Sequence, residues 1–398
     1  MHIAVVGGGP AGLRAAEVAA DGGASVTVFD AKASVGRKFL VAGRGGLNLT
    51  NAESSEQFVT HYGEPDELWR TLLDDCGPEA VRAWAASLGI ETFVAKTGRV
   101  YPEQMKAAPL LRRWIRRLRE LGVQFAMKHR WTGLDREDGL VLAFENAHGF
   151  ITVRADAVVL ALGGGSWPET GSDAQWIEAL TRLDIEITPL QPANCGWECR
   201  WPEAVLAAAE GKPLKNIVAR AGGAKAVGEL MVTNYGLEGG AIYQLGPALR
   251  AMKEPAIVLD FKPASTEAQL VRKMGLITRN FLAEAQRRWK LSDPAFVIIS
   301  HSLGEQNFLS AMELARAIKS WTLPLSGPRP LSEAISSAGG VSWNELNEML
   351  MLRRLPGIFL AGEMIDWEAP TGGYLIQGCF ATAARAGRGA LEWTRSNL

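Results

Sequence analysis

The sequence predicts an α/β fold: a parallel sheet covered by helices, discontinuous in sequence, with an inserted β-rich domain and a small helical domain. Three observations predict it. Runs apolar at every position occur at residues 3–6, 157–162 and 358–361, each followed by a glycine-rich turn, as strands covered on both faces require. The first run leads through a helical segment to a second apolar run at 26–29, which makes a β-α-β unit. Between residues 190 and 340 the character changes, first to short β-rich pieces rich in glycine and turn dipeptides, then to helical segments at 266–291 and 309–321. The expected domains are 1–190 with 340–398, a β-rich insert at 191–265 with 322–339, and a helical cap at 266–321.

In the opening unit, Gly7, Gly9 and Gly12 stand at G-x-G-x-x-G spacing, with Pro10 and Ala11 starting the helix. The first glycine suits a tight turn, the second lets backbone approach a pyrophosphate, and the third lets helix pack on strand. The helix N-terminus offers N–H groups and a positive dipole end to phosphate. Asp30, followed by Ala31, ends the second strand about twenty residues on, where an acid accepts hydrogen bonds from a ribose. Together these predict a Rossmann-like dinucleotide domain.

Residues 36–51 have neither helical nor strand period and read as a loop carrying Lys38, Gly43, Arg44, Gly45 and Asn48. Residues 66–88 read as helical, 99–102 as a turn, and 107–121 as an amphipathic helix. Its five arginines (Arg112, Arg113, Arg116, Arg117 and Arg119) read as a solvated face rather than a binding patch. Strand-like alternation fills 122–155, and a helix is expected over 173–183. Gly163 and Gly164 follow the third apolar run. The fourth leads into Gly362, Glu363 and Asp366, then Thr371, Gly372, Gly373 and a final helix from Tyr374 to about residue 393.

Three glycine turns suit a long dinucleotide such as FAD better than a nicotinamide alone. Small residues at 371–373 let a flat ring lie against backbone, and the following helix dipole favours negative charge on the N1–C2=O side of a reduced flavin. Glu363 and Asp366 are placed to bond the ribityl chain or the groups around the pyrophosphate, or are surface acids flanking a turn. Lys38 and Arg44 serve either the ring or simple phosphate pairing. Asn48 and Thr50 reach ring oxygens or cap turns. Trp167 and Trp367 pack against neighbouring strands or wall a flat pocket.

A chain of 398 residues exceeds one ordinary core. Its formal net charge of −1 removes bulk attraction to nucleic acid or anionic membrane. No apolar run reaches spanning length, and the glycine motif begins at once, so no signal peptide is visible. The expected location is the cytoplasm. Cys76, Cys195, Cys199 and Cys379 read as buried reduced thiols, and the five histidines lack ligand spacing, so no metal is expected. The sequence names no catalytic acid or base.

Gly7 to Gly12, Gly36-Arg37-Lys38, Gly98-Arg99-Val100-Tyr101-Pro102, the 163–172 turn, Gly362-Glu363-x-x-Asp366 and Thr371-Gly372-Gly373-Tyr374 follow one order throughout. It resembles that of the NAD(P)/FAD-dependent oxidoreductases that include aminoacetone oxidase and a bile-acid dehydro-intermediate reductase. The resemblance implies a split FAD domain, a β-rich insert and a small helical domain over the flavin. Two departures stand out. The family's Ser-Gly-Gly-Gly-Arg-Cys-Asn loop reads here Ala42-Gly43-Arg44-Gly45-Gly46-Leu47-Asn48, without the thiol. Its insert histidine is replaced by Asn234. The expected function is transfer of hydride or electrons between a small organic molecule and NADH, NADPH or oxygen through FAD. A flavoprotein acting on RNA and a non-catalytic flavin sensor are the alternatives, and the expected partners exclude nucleic acid and membrane.

Overall fold

The computed structural model describes residues 1–63, 65–136, 139–277, 279–302 and 310–397. They divide into two compact units, Met1–Gln191 with Ser336–Leu398, and Pro192–Ile335.

The first unit is built on a five-stranded parallel sheet. Its order is Ile358–Leu360, Ala157–Leu160, β1 (His2–Val6), β2 (Ser25–Asp30) and Gln124–Met127. Ile358–Leu360, Ala157–Leu160 and β1 are buried at nearly every position, so both faces are covered there, and all C-terminal ends lie along one edge, where open α/β sheets bind ligands. Helix α1 (Pro10–Asp21) packs on the final helix, Tyr374–Ser396. The backbones approach so closely that a Cβ at Gly387 would sit 2.7 Å from the Ala15 carbonyl oxygen. Glu17 is buried on α1. Its Oε2 accepts from Arg14 at 2.8 Å and from the indoles of Trp84 and Trp114 at 2.9 and 3.1 Å, while Oε1 pairs with Arg117 at 3.2 Å.

Several local expectations change. The 36–51 segment is not wholly a loop: Arg37–Ala42 forms a short helix and Thr50–Asn51 a strand. Residues 99–102 form not a turn but the central strand Arg99–Pro102 of a small antiparallel sheet with Thr50–Asn51 and Thr92–Val94. Residues 66–88 are two helices, Asp66–Asp75 and Pro78–Ser87; proline, which lacks the N–H, starts the second. The helix expected from residue 173 shrinks to Trp176–Thr181, because Asp173 binds the Gln175 amide and Arg130 instead. Of the arginines on Ala107–Glu120, Arg113 donates to the Leu88 carbonyl at 3.0 Å, Arg116 pairs with Glu120 and Arg117 with Glu17.

The second unit holds a seven-stranded sheet. Its longest strands, Pro213–Ala221 and Ala224–Thr233, form a hairpin. Helices Glu267–Met274, Phe281–Arg288, Asp293–Ser302 and Ala311–Lys319 share one apolar cluster with that sheet, through Leu270, Ile298, Leu314 and Ile318 against Leu230, Ile257 and Leu259. The start expected for the last helix, Leu309, lies outside the described residues. All four cysteines are buried free thiols. No helix among the described residues is long and apolar enough to cross a membrane.

Candidate functional site

Three of the sheet's strand ends converge through their turns. Gly7 has φ +107°, a left-handed conformation that favours glycine, and a side chain there would overlap the Ala161 carbonyl at the end of the neighbouring strand. A Cβ at Gly12 would overlap the Gly7 carbonyl, so α1 can lie against its strand only with glycine there. Gly9 is different, because a Cβ there meets nothing within 4 Å. It is the N-cap of α1 with no side-chain cap, Pro10 follows, and the first intrahelical bond is from Leu13 to the Gly9 carbonyl. The amides of Ala11 and Gly12 therefore have no intrahelical acceptor.

Asp30 accepts from the Gly8 amide at 2.8 Å and the Lys32 amide at 2.7 Å. Burial pushes its carboxyl pKa up, against the opposing pull of those amides, Lys32 and Arg37. Ala31 beside it is half-buried. The second turn is fixed by side chains. Trp176 donates to the Gly163 carbonyl at 2.8 Å, Ser172 to the Gly164 carbonyl at 3.0 Å, and the Gly165 amide to Ser337 at 2.8 Å. In the third, the Gly362 amide donates to Thr382 at 3.0 Å, and a Cβ on Gly362 would lie 2.8 Å from that of Ala11.

Lys38 links these pieces. Its ammonium donates to Ser166 at 2.6 Å and to Glu363 at 2.7 Å, joining the 36–51 segment to the second and third turns. Asp366 lies apart from that contact and accepts from Thr188 at 2.6 Å. Gly43 is buried against Ala107, whereas Arg44 and Gly45 are exposed, and among the described residues no hydrogen bond draws them to the turns. Among the described residues, the buried Oδ1 of Asn48 finds no hydrogen-bond partner.

Thr371 and Gly372 lead to Gly373, the left-handed N-cap (φ +102°) of the final helix, again without a side-chain cap. A side chain on Gly373 would overlap the Thr50 backbone, and the Gly372 carbonyl accepts from Asn51 at 3.2 Å. Tyr374 is buried, its carbonyl accepts from Tyr62 at 2.6 Å, and Glu53 lies beside its hydroxyl. Burial first and Glu53 second hold that phenol's pKa well above its usual value. Trp367 is a packing residue, with its indole on the Gly362 carbonyl and its ring against Tyr62 and Trp69. Ser166, Ser337, Thr382, Asn51 and Arg99 also reach these turns and were not singled out from the sequence. Two of them carried a signal, Arg99 within the Gly98–Pro102 motif and Ser166 within the 163–172 turn.

The arrangement fits FAD. Two uncapped helix starts, open space in front of Gly9 and an unsatisfied acceptor on Asn48 are what a pyrophosphate and a ring with N–H donors need. The profile described as HI0933-like protein Rossmann domain matches residues 1–389. The chain belongs to this family. It is 30% identical over 421 aligned positions to the 3-dehydro-bile acid delta(4,6)-reductase of Clostridium scindens, covering 98% of this chain and 99% of the relative. It is 22% identical to the ribosomal RNA dihydrouridine synthase of Escherichia coli, covering 95% of each. The 3-ketosteroid-delta4-(5alpha)-dehydrogenase of Rhodococcus jostii RHA1 shares the fold, with a TM-score of 0.53 at 15% identity over 98% of this chain and 96% of that one. The chain is thus an FAD-dependent oxidoreductase of the HI0933-like family.

The Lys38–Glu363 pair gives a direct test of the convergence. The side chains are 23% and 12% exposed, so removing one partner strands the other in poor solvent. Lys38→Met is expected to cost about 2 kcal/mol, below the range for fully buried pairs, and Lys38→Met with Glu363→Leu less than that. Urea denaturation of the three proteins checks the order.

Proposed function

We propose that this oxidoreductase reduces a carbon–carbon double bond conjugated with a carbonyl in a small, flat organic molecule, with NADH or NADPH as electron source. The observation that carries the reading is the likeness, over nearly the whole of both chains, to a protein named as a bile-acid delta(4,6)-reductase. When bound, FAD supplies the two-electron chemistry. The residues of the chain bind and orient it. The start of α1 holds the pyrophosphate in front of Gly9, and Asp30 meets the ribose. The start of the final helix favours negative charge at the ring edge, and Asn48 accepts an N–H. Lys38 is committed to Ser166 and Glu363 and acts by holding the turns together.

A second reading, action on RNA, is favoured by the ribosomal RNA dihydrouridine synthases of Escherichia coli and Haemophilus influenzae, at 22% and 20% identity. Dihydrouridine differs from uridine by two hydrogens across a double bond conjugated with a carbonyl, so the chemistry is shared and only the carrier of the bond differs. A net charge of −1 counts against a polyanionic substrate.

Desalted yellow protein is expected to bleach within seconds when NADH or NADPH is added without oxygen, and to regain its colour with androst-4-ene-3,17-dione. No bleaching by either nucleotide, with bleaching by an amine donor, overturns the reductase reading in favour of an oxidase. Colour regained only with ribosomal RNA moves the activity to the second reading.

A further inference from the structure

The small sheet beside the Gly372–Gly373 turn carries an unassigned cation and an apolar shelf. In strand Arg99–Pro102, Val100 and Pro102 are buried, while Arg99 and Tyr101 alternate onto the other, half-buried face. Asn51, the register partner of Arg99, is tied to the Gly372 carbonyl, and a Cβ at Gly372 would lie 3.9 Å from Arg99 Nε. Arg99 therefore stands at the turn expected to face the flavin.

Among the described residues its guanidinium makes no hydrogen bond and no ion pair. Glu53, beside the Tyr374 hydroxyl, pairs with His61 at 2.8 Å. The guanidinium thus has donors free to meet an oxygen of a bound molecule. Next along the same face, Tyr101 pairs with Phe93, ring centroids 5.9 Å apart. Met105 completes the shelf, since a Cβ on Gly46 would touch both it and Tyr101. Phe93 and Met105 are 40% and 37% exposed, high for large apolar side chains grouped together.

We propose that Arg99 receives the carbonyl oxygen of the reducible substrate, with Phe93, Tyr101 and Met105 as the shelf for its flat apolar body. The inference rests on the enone-reductase reading above and adds its polarising residue. Side chains two positions apart on a strand stand about 7 Å from each other, so a carbonyl at Arg99 leaves a fused-ring body over the aromatic pair. As a hydride bonds to the β-carbon, the double-bond pair shifts between the α-carbon and the carbonyl carbon, and the carbonyl π pair moves onto oxygen. The guanidinium meets that negative oxygen with a charge already in place. The α-carbon then takes a proton from water, and the carbonyl re-forms.

Arg99 is unpaired and Phe93 exposed, so both can be changed without breaking a core contact. The FAD-loaded protein is titrated with 2-naphthol, whose ionised form imitates the enolate, and with naphthalene, which lacks the oxygen. The holoenzyme is expected to lower the pH at which bound 2-naphthol ionises. Arg99→Gln abolishes that shift while leaving naphthalene affinity within about twofold. Phe93→Ala weakens naphthalene severalfold. With androst-4-ene-3,17-dione, Arg99→Gln lowers kcat about 10²–10³-fold with little change in KM, and Arg99→Lys restores part of it. Wild-type ionisation of 2-naphthol and wild-type turnover in Arg99→Gln overturn the inference and leave the reductase reading standing. An Arg99-dependent ionisation in a protein that reduces no enone does the reverse.

Discussion

Gly9→Val protein is expected to fold, to melt close to the parent stripped of FAD, and to leave the column colourless. Gly9 has φ −78° and ψ −176°, an extended conformation open to any L-residue, and a Cβ there meets nothing within 4 Å. The folded chain tolerates the branch; exchanging glycine for valine at an N-cap costs about 1 kcal/mol or less. What the branch fills is the space in front of the helix start, where a diphosphate must come within hydrogen-bond reach of bare amides. Gly12→Ala gives the contrast. Its Cβ would overlap the Gly7 carbonyl, so α1 must lift from the sheet and the first unit itself is damaged. The ratio of absorbance at 450 nm to that at 280 nm, read beside a thermal melt, separates the two variants. A fully yellow Gly9→Val protein would show that the diphosphate lies elsewhere.

Glu17→Leu is expected to be the most destabilising single change away from the turns, at about 3–5 kcal/mol. Glu17 is 2% exposed and gathers Arg14, Arg117, Trp84 and Trp114 around one carboxylate. Leucine fills similar volume but leaves two indole N–H groups and the Arg14 guanidinium without their acceptor. Glu17→Gln keeps an acceptor and loses the charge, so it should fall between. A loss of that size is a large share of the 5–15 kcal/mol typical of a folded domain. Urea titration of the holoprotein measures it, and an unchanged midpoint for Glu17→Leu would mean that the carboxylate is replaceable.

The two variants mark where the sequence speaks and where it is silent. Gly7, Gly9, Gly12 and Asp30 declare themselves because a β-α-β unit is local: everything the motif needs lies within thirty residues. The apolar runs at 157–162 and 358–361 are legible for a related reason, since a strand covered on both faces has no polar position to disguise it. Glu17 is illegible because Trp84 and Trp114 lie 67 and 97 residues away, and on its own helix it looks like any surface acid. Arg99–Pro102 begins after a glycine and ends in proline, which reads as a turn. Its strand character comes from pairing with Thr50–Asn51 and Thr92–Val94, which no local period records. The helix Asp293–Ser302 carries Pro294 and a nearly continuous apolar run, so it lacks the polar stripe by which a surface helix is recognised. Of the loop residues, Lys38 found partners on two turns, whereas Arg44, similar in composition, found none there.

The final helix packs along α1, and the strand before it, Ile358–Leu360, is the outermost member of the sheet that begins with β1. On a ribosome, the first strands emerge more than three hundred residues before the piece that completes their sheet. Until Ile358–Leu360 and the final helix emerge, Ala157–Leu160 waits with an unpaired edge and α1 with an uncovered face, while the intervening unit already has all of its own strands. The third of the three turns, Gly362 to Gly373, is thus the last part of the site to be made.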